Sequence, residues 1–462
     1  MPSFWRSKKE SDRFRRILLE KWETIKEYEM KDVQKIPIAI IGMGAAGSMA
    51  AIEAGKVMPV QLFDGNEKLG KKIYITGKGR CNLTNACPMT DFLKGYSRNG
   101  KFLYSALHAF SNRDLIHFFE NQGLKTKVER GDRVFPLSGH SSDVNKILEK
   151  TLIKEGVILN KYHHLQSVEK DKKGFFLEFE RRTKAGFEQV FLRADQLILS
   201  CGGKSYPSTG SRGEGYEFAK ALGHQINPIF PALCPMILDA PWLTDVEGLS
   251  LTNISLKAKK GKKKEVLFGD LLFTREGISG PVVLTMSSIL SGQNLRAYSF
   301  SIDWKPSLNE EKLKRRLERE RENGPNRKLQ TLFSSFLPRS AVPLFVQLGG
   351  FNKDLPFHNW SKEGQMRFIT LLKNFPLPVM GLSDMNQAII TRGGVECKEI
   401  DPSTMESKIC PGLYFAGEMI DFDGFTGGYN LQAAFSTGFL AGKSAGEKWT
   451  KNKGEKDEGN SH

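Results

Sequence analysis

Residues 36–64 read IPIAIIGMGAAGSMAAIEAGKVMPVQLFD. An apolar run of strand length leads into GMGAAG, an alanine-rich helical stretch follows, and PVQLFD is apolar again until it ends on Asp64. Strand, glycine-rich turn, helix and strand in that order make a βαβ unit. Gly42, Gly44 and Gly47 form GxGxxG at the first strand-to-helix turn. In such a turn the first glycine permits the tight bend and the second lets the backbone approach a diphosphate. The third lets the helix pack closely on the sheet. The helix N-terminus, at Ala45 and Ala46, offers free N–H groups and a partial positive charge to phosphates. Asp64 falls about 20 residues on, where a carboxylate holds ribose hydroxyls. In this context the pattern predicts a dinucleotide site. The bland alternative is a tight turn followed by an unrelated surface aspartate.

Residues 36–55 are also the one stretch poor enough in charge to pass for a membrane span, but their glycines and nucleotide pattern explain them better. The N-terminal MPSFWRSKKESDRFRRILLEKWE interrupts every apolar run with charge, so no signal peptide is read there. Six cysteines in 462 residues make no disulfide framework, and no CxxC pair suggests zinc. These features predict a cytoplasmic protein with neither a metal nor a membrane association.

A chain of 462 residues exceeds a single core and implies two or three domains. With 39% hydrophobic and 26% charged residues it is neither fibrous nor wholly disordered. Its net charge of +16 attracts polyanions, so RNA, DNA, an anionic surface or a phosphorylated cofactor are candidate partners, against the alternative that basic charge serves solubility alone.

Residues 1–35 read as a basic amphipathic extension, with Phe14, Ile17, Leu18, Trp22 and Ile25 at helical spacing. SNRDLIHFFENQG and SSDVNKILEKTLIKEG read as helices with serine caps. LQSVEK, GFFLEFE and ADQLILSCGG read as strands. Residues 36–205 and 386–448 are expected to form one discontinuous domain. Residues 206–305 and 376–385 are expected to form a β-rich middle domain, and 306–375 a helical insert. In that insert KPSLNEEKLKRRLERERENGP predicts a charged helix with a Ser307/Glu310 capping box. Residues 449–462 read as a disordered tail.

The glycine motif does not separate FAD from NAD; the C-terminal segment does. In FAD proteins of the glutathione-reductase type a late strand ends in an acidic residue near the ribityl chain, and the next helix aims its N-terminus at the flavin ring. LYFAGE, ending in Gly417 and Glu418, and then Gly427, Gly428, Tyr429, Asn430 and Leu431, match that element. A helix start there stabilises negative charge on a reduced flavin. An ordinary glycine turn is the alternative.

Six blocks then carry a resemblance: GKKIYITGKGRCNLTN, GDRVFP, LSCGGKSYPSTGSRGEGY, FTREGISGP, TRGGV and TMESKICPGLYFAGEMIDFDGFTGGYNLQAAFSTG. In that order they resemble the BaiN/RdsA family of NAD(P)/FAD-dependent oxidoreductases, formerly labelled aminoacetone oxidases. The resemblance implies an α/β fold: a discontinuous Rossmann-like FAD domain, an inserted β-rich domain and a small helical domain. It implies that Gly42, Gly44, Ala46 and Gly47 hold the diphosphate and Asp64 the ribose. Lys72, Arg80, Cys81 and Asn82 then lie along the cofactor or its cleft, and Gly202, Gly203, Glu418, Gly428, Asn430 and Leu431 complete the site. Where the family reads FTH this chain reads FTR, and Arg275 cannot titrate as histidine would.

The family's linked activities are reduction of a ribosomal RNA uridine to dihydrouridine, reduction of steroid-like compounds, and amine oxidation. The charge of +16 and the basic runs 259–264 and 312–321 favour large-subunit ribosomal RNA as substrate, although each run also reads as an ordinary solvated surface. A small-molecule oxidoreductase is the alternative, and a ribosome-binding protein with structural FAD a third reading. Cys81 is a candidate proton donor or redox thiol beside Arg80, or else a small buried core residue. Cys81 and Cys87 are spaced one residue too far for the disulfide-reductase pair. Tyr206, Thr274, Arg275 and Arg133 are further cleft candidates, and His140 reads as a surface residue. No second GxGxxG follows an apolar strand, so either NAD(P)H, the candidate small-molecule reductant, enters by the substrate's cleft or another reductant serves.

Overall fold

The computed structural model describes residues 33–459; of the expected amphipathic extension, residues 1–35, all but the last three lie outside the described residues, and Gln34 and Lys35 belong to the first strand. The first strand, Gln34–Ile41, is buried on both faces after its first two residues, as the central strand of a covered parallel sheet must be. It pairs in parallel with Val60–Asp64 on one side and with the C-terminal half of Gly186–Leu199 on the other. Ile158–Lys161 extends one edge and Leu413–Phe415 the other. Numbered by their order in the sequence, these five strands lie 3-2-1-4-5, the dinucleotide-binding order. Its topological switch point falls between the first strand and Gly186–Leu199. The crevice beyond their C-terminal ends is where such a sheet binds its ligand.

The long strand Gly186–Leu199 serves two structures at once. Its first half pairs antiparallel with Gly174–Thr183, which pairs with His163–Asp171 to complete a meander. The last parallel strand, Leu413–Phe415, comes more than two hundred residues later, so the domain is discontinuous.

The intervening chain builds a second sheet of seven strands, between Met236–Leu238 and Val379–Leu382. Helices Glu310–Asn323, Val342–Gly349 and Lys362–Lys373 pack on it, and Trp304, Phe345, Phe368 and Phe375 belong to one core with its strands. The sheet and the helical stretch therefore share a single hydrophobic interior.

Four sequence expectations need correction. Tyr216, Phe218 and Leu222, expected in the β-rich domain, pack into the core of the dinucleotide domain. The charged helix is capped by Asn309, whose side chain accepts from the Lys312 amide at 2.9 Å, so Ser307 forms no capping box. The expected Ser111 cap is present, with a reciprocal bond to Asp114, but helix Ser141–Lys154 begins after His140 without a side-chain cap. The last helix, Tyr429–Gly459, continues through most of the expected disordered tail.

That helix packs on Ala45–Gly55 through small residues. A Cβ on Gly438 would lie 2.2 Å from the Ala46 carbonyl oxygen, and one on Gly442 2.2 Å from that of Ala50. The glycine–alanine seam lets the two backbones approach closely, and the starts of both helices contribute to one cavity.

Candidate functional site

A cavity of about 1340 Å³ opens at the switch point, between the dinucleotide domain and the second sheet. Gly42 enters it at φ +106, with its amide bonded to the Phe63 carbonyl at 2.8 Å and no room for a Cβ, which would lie 2.5 Å from the Ser200 carbonyl oxygen. On Gly47 a Cβ would fall 1.9 Å from the Gly42 carbonyl oxygen. On Gly44 it would meet nothing within 4 Å, and Gly44 lines the cavity, so a side chain there would take up cavity space. No side chain caps helix Ala45–Gly55, whose first residues, Ala45 and Ala46, also line the cavity. These residues fit a diphosphate.

Asp64 shapes this cradle as well as facing it. One carboxylate oxygen accepts from the Met43 amide and the other from the Asn66 amide, both at 2.8 Å, which ties the ends of the two strands together. Beyond it, His163, His164 and Arg182 of the meander line the cavity. His164 bonds Glu214 at 2.8 Å; the Glu214 hydrogen bond holds the imidazole above its ordinary pKa, while His164 holds the Glu214 carboxyl below its own.

The deeper polar centre is a network that sequence reading only half supplies. Lys72 donates to Glu418 and to the Ser205 hydroxyl, each at 2.6 Å. The other Glu418 oxygen accepts from the Thr391 amide at 2.8 Å and from Ser205 at 3.0 Å. The Thr391 hydroxyl accepts from the amides of Lys204 and Ser205. Lys72 and Glu418 were expected here; Ser205 and Thr391 were not. Both lie inside quoted blocks, but nothing in their residue type marked them.

Around the start of the C-terminal helix, the Asn82 side-chain oxygen accepts from the Gly428 amide at 3.1 Å, and its amide group donates to the carbonyls of Thr84 and Val134. Gly428 has φ +100 and a Cβ there would sit 2.3 Å from Thr84 backbone, so no other residue fits. Asn85 donates to the carbonyls of Gly131 and Gly427, bringing the turn at Arg130 to Arg133 against the cavity. Asn430 lines the cavity, but its side chain is engaged with Gly424 and Phe425 and closes the preceding loop. Tyr429 and Leu431 line the wall, and burial pushes the Tyr429 phenol up to about 12. Gly202 and Gly417 line it too, whereas Gly203 lies behind it, packed against Thr391.

The candidate catalytic residues fare less well. Cys81 is fully buried in the core, burial raises its thiol to about 12, and it does not line the cavity; it is the small core residue of the second reading. Arg80 does line the cavity, with its guanidinium paired to Glu129 and 4.2 Å above the Phe135 ring. Tyr206 and Thr274 are absent from the cavity wall, and Arg275 is exposed at a turn away from it. All three belong to blocks whose other residues, Gly202 and Gly280 among them, line the cavity, so membership of a block does not by itself bring a side chain to the wall. Cys201, Arg130 and His164 line the cavity without having been singled out.

The HI0933-like protein Rossmann domain matches residues 36–444. The chain belongs to the HI0933-like family. This HI0933-like chain is 30% identical over 422 residues to the 3-dehydro-bile acid delta(4,6)-reductase of Clostridium scindens, covering 89% of this chain and 99% of that one. It is also 30% identical over 411 residues to the ribosomal RNA dihydrouridine synthase of Escherichia coli, covering 88% and 96%. The Haemophilus influenzae protein of the same name is 30% identical over 412 residues, covering 88% and 97%. The HI0933-like chain is an FAD-dependent oxidoreductase, as its BaiN/RdsA-type blocks imply. Among its described residues no helix is long and apolar enough to cross a membrane.

Proposed function

We propose that this chain reduces a uridine of large-subunit ribosomal RNA to dihydrouridine. Held in the cavity and reduced by NAD(P)H, FAD would supply the hydride that reduces the uracil C5–C6 double bond at C6, with the balancing proton at C5 taken from water. The turn at Gly42–Gly47 and the starts of the two helices would hold the diphosphate, Asp64 the ribose, and the Lys72–Glu418 network the chain between diphosphate and ring.

The observation that carries this reading is the cationic rim. Lys78, Arg130 and Arg133 all line the cavity, are exposed, and form no ion pair among the described residues. Lys78 and Arg130 thus present charge to solvent at the mouth of a site whose interior fits a nucleotide, and a polyanionic substrate would be drawn to it. The relatives named ribosomal RNA dihydrouridine synthase support the same substrate. NAD(P)H, as reductant, would enter by this mouth.

A second reading, reduction of an enone or steroid-like compound, draws on a different wall. Leu272, Leu284, Ile389 and Ile390 present an apolar surface to the cavity, and one relative is named as a bile acid reductase. Deleting the gene and mapping ribosomal RNA by mass separates the two. Loss of one two-hydrogen gain in the large-subunit RNA is expected; unchanged dihydrouridine would reject the RNA reading in favour of the small molecule.

A further inference from the structure

Strand Lys263–Thr274 runs from the cavity wall out to a lysine-rich tip. Alternate residues of a strand share a face. On one face Leu272 and Asp270 line the cavity, Phe268 and Val266 are 66% and 48% exposed, and Lys264 is exposed at the end. Leu271 and Phe273, on the other face, are buried in the second core, so the strand is firmly seated and Phe268 is exposed on a rigid support. The neighbouring strand, Ser250–Lys260, sets Lys257 opposite Val266 and Lys259 opposite Lys264. Directly paired residues lie on the same face, so Lys259 and Lys264 stand together beyond the two apolar side chains. A two-residue turn, with Gly261 at φ +57, closes the hairpin.

Of the carboxylates on this face, Asp270 lies on the cavity side of Phe268 and Asp303 is buried. Asp270 accepts from the Asn253 amide at 3.1 Å, and Asp303, on the next strand, is paired with Lys373 at 2.7 Å. The exposed stretch from Phe268 to the tip is therefore aromatic and cationic, and it is continuous with the cavity wall.

We propose that this face is a docking surface for single-stranded RNA leading to the reacting base, with Phe268 stacking a base and Lys259 and Lys264 following the phosphates. An aromatic platform beside a cationic track is the chemistry by which proteins hold single strands with little sequence preference. The inference rests on the RNA reading above and adds the path by which the strand leaves the cavity.

The test is binding of a labelled oligouridylate to full-length holoprotein, followed by anisotropy across a salt series. Phe268→Ala should weaken binding about tenfold, while Phe268→Tyr retains it. Lys259→Gln with Lys264→Gln should reduce the slope of log affinity against log salt by about 1.4, at ~0.7 per phosphate contact. Flavin content, read from absorbance, should be unchanged in every variant. Binding by the wild type that none of these substitutions alters would overturn the docking surface and leave the RNA reading standing. No binding by the wild type would overturn both. A polyglutamate that binds with the same dependence on Phe268 would overturn the assignment to nucleic acid.

Discussion

Lys72 and Glu418, 346 residues apart in the chain, meet at 2.6 Å on the wall of the cavity. Neither is wholly buried, with side chains 27% and 20% exposed, but Glu418 also receives the Thr391 amide and the Ser205 hydroxyl. The pair thus joins the short helix Lys71–Ile75 to the turn that follows the late strand Leu413–Phe415 of the same domain. A double-mutant cycle on Lys72→Met and Glu418→Gln, followed by denaturant unfolding, should give a coupling of about 1–2 kcal/mol. Additive effects would show that the contact couples nothing.

The glycines separate a ligand's space from the protein's own. Gly44→Ala should fold with wild-type stability within about 0.5 kcal/mol and lose most of its flavin, because the added methyl group meets only cavity. Gly438→Val and Gly442→Val should each cost about 2–4 kcal/mol by pushing the two helices apart. Gly454→Ala, in the same helix with nothing within 4 Å, should stabilise by up to about 1 kcal/mol. Thermal unfolding and the ratio of flavin to protein absorbance read all four.

Cys81→Ala should keep its activity per bound flavin and cost about 1–2 kcal/mol in stability, the loss of a small core side chain. With its thiol near 12, Cys81 should also resist alkylation in the native protein. A hundredfold fall in turnover at full flavin content would restore it as a proton donor.

His164 and Glu214 make one end of the cavity pH-sensitive. The imidazole is raised from 6.5, so its contribution to stability is full below 6.5 and is lost as pH rises through the higher folded value. The Glu214 carboxyl is lowered from 4.5, so its contribution is present above 4.5 and lost as pH falls through the lower folded value. The stability difference between wild type and His164→Ala should therefore peak between pH about 5 and 6 and shrink toward pH 9. Both side chains are well exposed, which limits the effect to below about 1 kcal/mol. A difference that grows with rising pH would contradict the pairing.

The first βαβ unit was legible because its signals are local: an apolar run, three glycines at fixed spacing, and an acid at the end of the next strand. Glu418 and Gly428 were legible for the same reason. What sequence missed depends on contacts across the chain. Ser205 and Thr391 matter only because each meets Glu418, and a serine or threonine in a loop carries no mark of its partner. Cys81 and Tyr206 show the opposite limit. Both stand in blocks that contribute to the cavity without lining it themselves, and both have positive φ, +57 and +51, which neighbouring residue types do not reveal. The middle of the chain was divided too finely, since aromatic side chains from its helices and strands fill one interior.

The most direct test of the RNA reductase is a single turnover. Holoprotein reduced in the absence of oxygen is mixed with unmodified large-subunit ribosomal RNA, or with a steroid enone, and flavin colour is followed. The yellow absorbance should return with the RNA, which gains two hydrogens at one uridine, and should stay bleached on the same timescale with the enone. Colour that returns with the enone while the RNA leaves the flavin reduced and gains no mass would contradict it.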